Sequence, residues 1–155
     1  MAQTSDTTEN TDAALAVLLT MVAIGESTVE DATGELTLTQ FRVLRAVVEH
    51  CPVTGSRVAA ELGRNPSSVT RACDRLAVLG LLRRAQNPAN KREVLLTPTA
   101  KGRVTVEHVT TTRRAMLARV LDRLTPEARA ATIAAFARFT DAAAAAGVRT
   151  CSEDH

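Results

Sequence analysis

The side chains best suited to chemistry lie in one short segment, residues 66–79, with the sequence PSSVTRACDRLAVL. Apolar residues recur in it at helical spacing, which predicts a helix with one apolar and one polar face. The apolar face is formed by Val69, Ala72, Cys73, Leu76 and Leu79. The polar face carries Ser67, Ser68, Thr70, Arg71, Asp74 and Arg75. Hydroxyl and guanidinium groups bind phosphate oxygens and base edges, so this face suits a DNA major groove.

The residues before this segment predict how it is positioned. The stretch SRVAAELG, residues 56–63, reads as a short helix that ends at Gly63, and Pro66 is suited to the first turn of the next helix. Two helices joined by a short turn containing glycine form a helix-turn-helix. Arg64 and Asn65, in the turn, are candidate contacts to the DNA backbone. A hairpin of two helices in an ordinary helical bundle, with a solvated polar face, would show the same pattern.

A β-hairpin is predicted directly after these helices. Residues 81–86 and 93–97 read as strands, the segment NPANKR between them is turn-like, and Pro98 is expected to end the second strand. Lys91 and Arg92 then lie at or near a basic tip beside the helix-turn-helix, which is the arrangement of a wing. The natural target of such a tip is the DNA minor groove, whose negative potential attracts arginine.

Charge is distributed unevenly along the 155 residues, although the net charge is only +2. Residues 1–40 hold seven acids and no Lys or Arg, and residues 41–103 hold twelve Lys or Arg against four acids, a net +8. Residues 104–155 have a net charge of +1. A basic middle region between acidic and neutral flanks favours a polyanionic partner.

The flanking segments predict helices with other tasks. Residues 12–34 form an apolar helix that is expected at an oligomer interface or buried within the chain. Thr37 or Thr39 is expected to cap the next helix, which Pro52 and Gly55 end. Residues 103–148 predict two more helices, the second starting at Thr125-Pro126. Residues 1–11 predict a disordered acidic tail and residues 149–155 a flexible one.

Several classes of protein are disfavoured by features that the sequence lacks. It has no apolar window of about 18 residues and no signal-peptide pattern, so neither a membrane span nor export is expected. Its three cysteines have no CxxC spacing and fit a reduced, cytoplasmic protein. No phosphate-binding glycine loop, HExxH or GxSxG is present, so no enzyme and no cofactor are expected.

Residues 36–102 resemble the DNA-binding region of MarR-type transcriptional regulators. LTLTQFRVLRAV is similar to the helix that precedes their motif, and VAAELGRNPSSVTRACDRLAVLGLLRR to their helix-turn-helix. NPANKREVLLTPTAKG is similar to their wing, with two departures. Asn90 replaces an acidic residue that would pair with arginine, and Pro98 replaces a leucine, which should shorten the second strand.

The resemblance implies a mainly α fold with a small β-wing, that is, a winged helix-turn-helix at 35–102 flanked by dimerisation helices at 12–34 and 103–148. It implies a homodimer that binds double-stranded DNA at an inverted repeat, usually as a repressor. The implied major-groove contacts are Ser67, Ser68, Thr70, Arg71 and Arg75. Of these, Arg75 is the one more suited to a contact with the DNA backbone. The implied wing contacts are Asn90, Lys91 and, in the minor groove, Arg92. The implied backbone contacts are Arg64, Asn65, Arg83 and Arg84.

Regulation is the least defined part of the resemblance. Many such regulators release DNA when a small aromatic or phenolic effector binds, and the candidate contacts here are Phe41, Arg42, Arg45 and Arg113. Redox sensing is the alternative, and Cys51, which follows His50, is its candidate thiol. The three histidines are isolated in sequence, so no metal site is predicted, although His50 could combine with His108 and an acid.

Overall fold

The computed structural model describes residues 2–148, and among residues 2–9 only the backbone. The chain divides into two units, Met1–Arg113 and Arg114–His155. The elements are α1 (Ala2–Thr33), α2 (Leu38–His50), β1 (Val53–Thr54), α3 (Gly55–Leu62), α4 (Pro66–Val78), β2 (Leu82–Asn87), β3 (Asn90–Pro98), α5 (Ala100–Leu121) and α6 (Pro126–Ala145). The second predicted tail, residues 149–155, lies outside the described residues.

Helix α1 is longer than the sequence predicts. It begins at Ala2, where a disordered tail over residues 1–11 is expected, and ends at Thr33 before Gly34, whose φ is +63°. No proline or glycine interrupts residues 2–24, so nothing in that stretch breaks a helix that starts early.

The apolar part of α1 corrects a second expectation. Among the described residues, Asn10–Thr33 is long and apolar enough to cross a membrane, with a mean hydropathy of 1.6. The expectation that no segment passes this test was wrong, because small and weakly polar residues between the leucines keep the average high. Length and composition do not distinguish a membrane span from a helix that packs on another protein surface.

Helix α2 is fixed at its start by the threonine predicted to cap it. The Thr37 hydroxyl accepts from the Gln40 amide at 3.2 Å, and the Gln40 side chain accepts from the Thr37 amide at 3.0 Å. This reciprocal pair is a capping box, and Thr39 lies inside the helix. The buried face of α2 holds Phe41, Val43, Leu44, Ala46 and Val47. These residues form the centre of the first unit's core.

The helix-turn-helix has the predicted bounds, with one correction at its start. Gly63 ends α3 in the left-handed conformation (φ 58°, ψ 37°), and Pro66 follows the N-cap Asn65 as the first residue of α4. Gly55, expected to terminate α2, is instead the first residue of α3, because Thr54 caps that helix by accepting from the Arg57 amide.

The wing is a three-stranded antiparallel sheet in the order β1-β3-β2 rather than a two-stranded hairpin. The additional strand, β1, pairs Val53 with Leu96 and Thr54 with Leu95. Pro98 does not shorten the hairpin as expected, since β3 extends to Pro98, which pairs with Leu82. At that position β3 has β2 on one side and is beyond β1, a setting in which a strand tolerates proline.

The junction between the wing and α5 is close-packed. Thr99 donates its hydroxyl to the Gly80 carbonyl at 2.7 Å, and Lys101 donates to the Leu79 carbonyl at 3.0 Å. A side chain at Gly102 would overlap the Leu81 carbonyl oxygen. Glycine at this position therefore allows α5 to begin directly against the end of the helix-turn-helix.

The second unit, described by itself, contains the end of α5 and helix α6. Thr125 caps α6 and Pro126 begins it, as predicted. Arg129 donates to the Leu121 carbonyl at 3.0 Å and pairs with Asp122 at 3.1 Å. The large apolar side chains of α6, Ile133, Phe136 and Phe139, are exposed in the single chain.

Candidate nucleic-acid interface

Helix α4 separates its apolar and polar faces as the sequence predicts. Val69, Ala72, Cys73 and Leu76 are buried against the core of the first unit. The exposed residues are Ser67, Thr70, Arg71, Asp74 and Arg75, while Ser68 is half-buried. The polar face is therefore a continuous surface of hydroxyls and charged groups on a helix held rigidly from behind.

Two of the hydroxyls on this face already use their hydrogens. The Ser67 hydroxyl donates to Asn65 Oδ1 at 2.8 Å, and the Thr70 hydroxyl donates to the Pro66 carbonyl at 2.9 Å. Each keeps lone pairs that can accept. In this arrangement they suit the amino groups of adenine or cytosine in a major groove, rather than base acceptors.

The turn residues combine a structural role with their predicted contact to DNA. Asn65 Oδ1 accepts from the Ser67 amide at 2.9 Å and so caps α4, which leaves its NH₂ group as a donor. Arg64 is exposed beside it. The N-terminus of α4 also presents amide donors that favour a phosphate.

Most arginines predicted to contact DNA are exposed. Five of them have no acidic partner at ion-pair distance within the described part of the chain. These are Arg64, Arg71, Arg75, Arg83 and Arg92. Arg84 is different, because its Nη1 lies 2.6 Å from Asp74 Oδ1 on α4. The sequence predicts the same backbone contact for Arg84 as for Arg83, since no local pattern links residues 74 and 84.

Cys73 is a core residue, as its place on the apolar face indicates. Its side chain is 2% exposed. Burial raises the pKa of the Cys73 thiol, and the neighbouring Arg84 guanidinium only partly offsets this. A neutral, buried thiol is unsuited to redox sensing.

The turn of the wing is stabilised by side-chain hydrogen bonds. Asn90 Oδ1 accepts from the Arg92 amide at 3.2 Å, and Gln86 Nε2 donates to the Lys91 carbonyl at 2.8 Å. Asn87 donates to Glu93 at 2.9 Å. Lys91 and Arg92 lie at the start of β3, next to the turn formed by Pro88 and Ala89, and both are exposed.

The candidate effector residues are only partly brought together. The Arg113 guanidinium lies over the Phe41 ring, 5.3 Å from its centre, and donates to Thr28 Oγ1 at 3.3 Å and the Gly25 carbonyl at 3.2 Å. Arg45 instead pairs with Glu49 at 3.2 Å, and Arg42 is half-buried on α2.

A separate cavity of about 310 Å³ was not anticipated from the sequence. Its lining residues are Ala32, Thr33, Glu35, Leu36, Leu79, Leu81, Lys101 and Thr105. None of the four candidate effector residues is among them. Its residues come from three segments of the chain, so no single stretch of sequence carries a signal for it.

His50 does not combine with His108 in the way that the sequence left open. His50 Nε2 lies 3.1 Å from Glu61 Oε1, and together with Glu49 these side chains have ligand atoms within 4.8 Å of one another. Glu49 is also the ion-pair partner of Arg45. Hydrogen bonding and ion pairing connect these side chains to one another and to Arg45.

Cys51, the redox candidate, has an unexpected neighbour. Its side chain is half-buried, and Arg103 Nη2 donates to Cys51 Sγ at 3.3 Å. His50, the neighbour noted in the sequence, is hydrogen-bonded to Glu61 instead.

Comparisons with known proteins agree with this geometry. The MarR family matches residues 36–94, from the turn before α2 into β3. The HTH-type transcriptional repressor MdtR of Bacillus subtilis (strain 168) is 34% identical over 92 residues, which are 59% of this chain and 59% of MdtR. The match thus spans less than two thirds of that repressor.

Solved structures extend the likeness over most of the chain. RV1404 of Mycobacterium tuberculosis has a TM-score of 0.76 and 34% identity, with 85% of this chain and 90% of that one covered. Streptococcus pneumoniae FabT, solved in complex with DNA, has a TM-score of 0.71 at 18% identity, with 86% and 94% covered. The winged helix-turn-helix fold is therefore confirmed. The family and relatives that name a function are transcription regulators, which confirms the prediction that the chain is not an enzyme.

Proposed function

The chain belongs to the MarR family of transcription regulators, and we propose that it is a sequence-specific repressor that binds double-stranded DNA as a homodimer in the cytoplasm. Helix α4 of each protomer enters the major groove at one half of an inverted repeat. The wing lies along the adjacent minor groove. Half-sites about one helical turn apart, roughly 10 bp, fit two such helices on one DNA face.

The observation that carries this proposal is the exposed face of α4 next to a basic wing. Ser67, Thr70, Arg71 and Arg75 are solvent-accessible on a helix whose opposite face is buried. Arg92 is exposed on the wing. Such an arrangement combines base-reading and phosphate-binding groups on one side of the domain. FabT, which has the same fold, was solved in complex with DNA.

Two exposed apolar surfaces support the homodimer. Helix α1 leaves Leu15, Leu18 and Leu19 between 50% and 61% exposed, and Phe139 on α6 is 70% exposed. Contiguous apolar surface of this kind marks a site of association. A second copy of the chain covers it most simply, since closed two-fold dimers are the commonest soluble oligomers.

DNA binding is tested by a gel-shift titration of the purified protein. The probes are the intergenic DNA upstream of its own gene and random DNA of equal length, each at two salt concentrations. We expect selective binding to the upstream DNA that weakens steeply as salt rises. DNA fragments selected by the protein from genomic DNA provide the second probe. Equal affinity for selected and random DNA would overturn the proposal.

For regulation, we propose a small aromatic or phenolic effector that contacts Phe41 and Arg113. The Arg113 guanidinium covers the buried Phe41 ring, so the effector would enter by displacing this guanidinium, and its anionic group would then pair with it. The test titrates benzoate and phenol derivatives into the protein–DNA complex. Effectors should release DNA from the wild type but not from Arg113→Met, while Arg45→Met serves as a control that keeps release. If the effectors release DNA equally from Arg113→Met and Arg45→Met, the effector does not bind at Arg113.

The contact between Arg103 and Cys51 favours a second candidate, redox regulation through Cys51. Peroxide treatment would then oxidise Cys51 and weaken DNA binding, and a thiol reductant would restore it. Cys51→Ser should bind DNA normally and resist peroxide, whereas Cys73→Ser should remain sensitive. Unchanged sensitivity of Cys51→Ser would remove this candidate.

A further inference from the structure

Arg84 is set apart from the other arginines of the interface by where its guanidinium lies. Nη1 is 2.6 Å from Asp74 Oδ1, and Nη2 faces the Thr70 carbonyl at 3.5 Å. The guanidinium also lies close to the Cys73 side chain. One side chain of strand β2 thus contacts one full turn of helix α4.

The backbone of Arg84 is held firmly by strand pairing within the sheet. Arg84 is paired with Leu96 on β3, the central strand of the sheet, and Leu96 is buried. Strand β3 is in turn paired with β1 at Leu96. The Arg84 side chain therefore extends from a position where all three strands are paired to the exposed face of α4.

The charge of Asp74 gives this contact a second consequence. Asp74 lies on the exposed face of α4, between Arg71 and Arg75, and its side chain is 55% exposed. An unpaired carboxylate there would repel a DNA phosphate. Arg84 neutralises it, and in doing so commits at least two of its five donors to the protein.

We propose that Arg84 is a positioning residue rather than a contact to the DNA backbone: it ties wing strand β2 to α4 and neutralises Asp74, so that helix and wing meet the duplex as one surface. This inference rests on the proposed DNA-binding function. It reassigns a residue that sequence reasoning placed among the backbone contacts.

The test is a double-mutant cycle with a matched control. Arg84→Met is made in the wild type and in Asp74→Asn, and affinity is measured on DNA that the wild-type protein selects from a random library. We expect Arg84→Met to weaken binding about tenfold in the wild type and at most about twofold in Asp74→Asn, because the partner is already lost. Arg83, the neighbouring arginine, has no acidic partner in the described part of the chain, and Arg83→Met should cost the same in both backgrounds.

A direct contact between Arg84 and the DNA backbone predicts different affinities in this cycle. If Arg84 bound a phosphate, Arg84→Met would cost the same in both backgrounds and lower the salt slope by about 1 in each. That result would overturn the inference. Exposed ion pairs contribute little to stability, so these variants are expected to fold.

Hydrogen exchange of the free protein separates this inference from the proposed function. Arg84→Met and Asp74→Asn should each speed exchange of the β2 amides about two- to threefold, and the double variant should add nothing further. Unchanged exchange in all three would overturn the tie between β2 and α4. Failure of the wild type to select any sequence would instead overturn the proposed function.

Discussion

At the residue scale, Arg71 is the clearest candidate for reading bases, because it is exposed on α4 without an acidic partner among the described residues. Arg71→Ala should weaken operator binding by about 1–3 kcal/mol and change binding to random DNA much less. The measurement is a titration of both DNAs, with Arg138→Ala on α6 as a control that changes neither. Equal losses on the two DNAs would reassign Arg71 to the phosphate backbone.

Arg92 is expected to act through charge rather than sequence. Its side chain is exposed on the wing, and its backbone is fixed by the bond from its amide to Asn90. Arg92→Ala should lower affinity for all sequences and reduce the slope of log affinity against log salt by about 1. Titrations at four salt concentrations measure this slope. An unchanged slope and affinity would exclude the wing tip from the interface.

At the scale of elements, the cap of α4 links stability to the DNA surface. Asn65 accepts hydrogen bonds from both the amide and the hydroxyl of Ser67. Asn65→Ala should lower the free energy of unfolding by about 0.5–2 kcal/mol, while Asn65→Asp should retain most of it. Urea denaturation measures both. Equal stability of Asn65→Ala and the wild type would show that the cap contributes nothing.

Gly102 tests the close contact between α5 and the end of the helix-turn-helix. A methyl group there would overlap the Leu81 carbonyl oxygen, so Gly102→Ala should destabilise the protein by about 1–3 kcal/mol. Gly25→Ala is the matched control, because its methyl group would meet Leu38 at 4.0 Å, an ordinary contact. A Gly102→Ala protein as stable as the control would show that this junction yields easily.

Local signals explain which elements could be predicted from sequence. Gly63, Asn65 and Pro66 each act on their own neighbours, so the turn and the start of α4 follow from a few adjacent residues. Strand β1 has two residues and exists only through pairing with β3, about forty residues later, so it leaves no periodic pattern. Proline reads as a strand terminator, although Pro98 pairs within the sheet.

The candidate site likewise has features that local sequence predicts and features that depend on how the elements pack. The exposed face of α4 follows from helical spacing, which needs no tertiary information. The contacts of Arg84 with Asp74 and of Arg113 with Phe41 join separate elements. Such pairs depend on how the elements pack, and an arginine at helical spacing looks the same whether it is solvated or held.

At the scale of the whole molecule, the exposed apolar side chains of α1 require a partner surface. Leu18→Glu should convert a dimer to a monomer, because a charge would be buried in the interface. Sedimentation equilibrium measures the mass, and Val94→Glu on the wing is a control that keeps the dimer. A wild-type protein that is monomeric, or that sediments with lipid vesicles, would contradict the assignment of α1 to a dimer interface.

Helix α5 is attached to the first unit at two points, which limits how it can move. At Gly102 its backbone touches the Leu81 carbonyl at the base of the wing, and at Arg113 it is fastened to Thr28 and Gly25 of α1. Gly102 and Arg113 are eleven positions apart, so this part of α5 is a stiff rod about 16 Å long. A helix of that length does not absorb a push at one end by bending. A shift of α5 at Arg113 is therefore expected to displace Gly102 against the Leu81 carbonyl at the base of the wing.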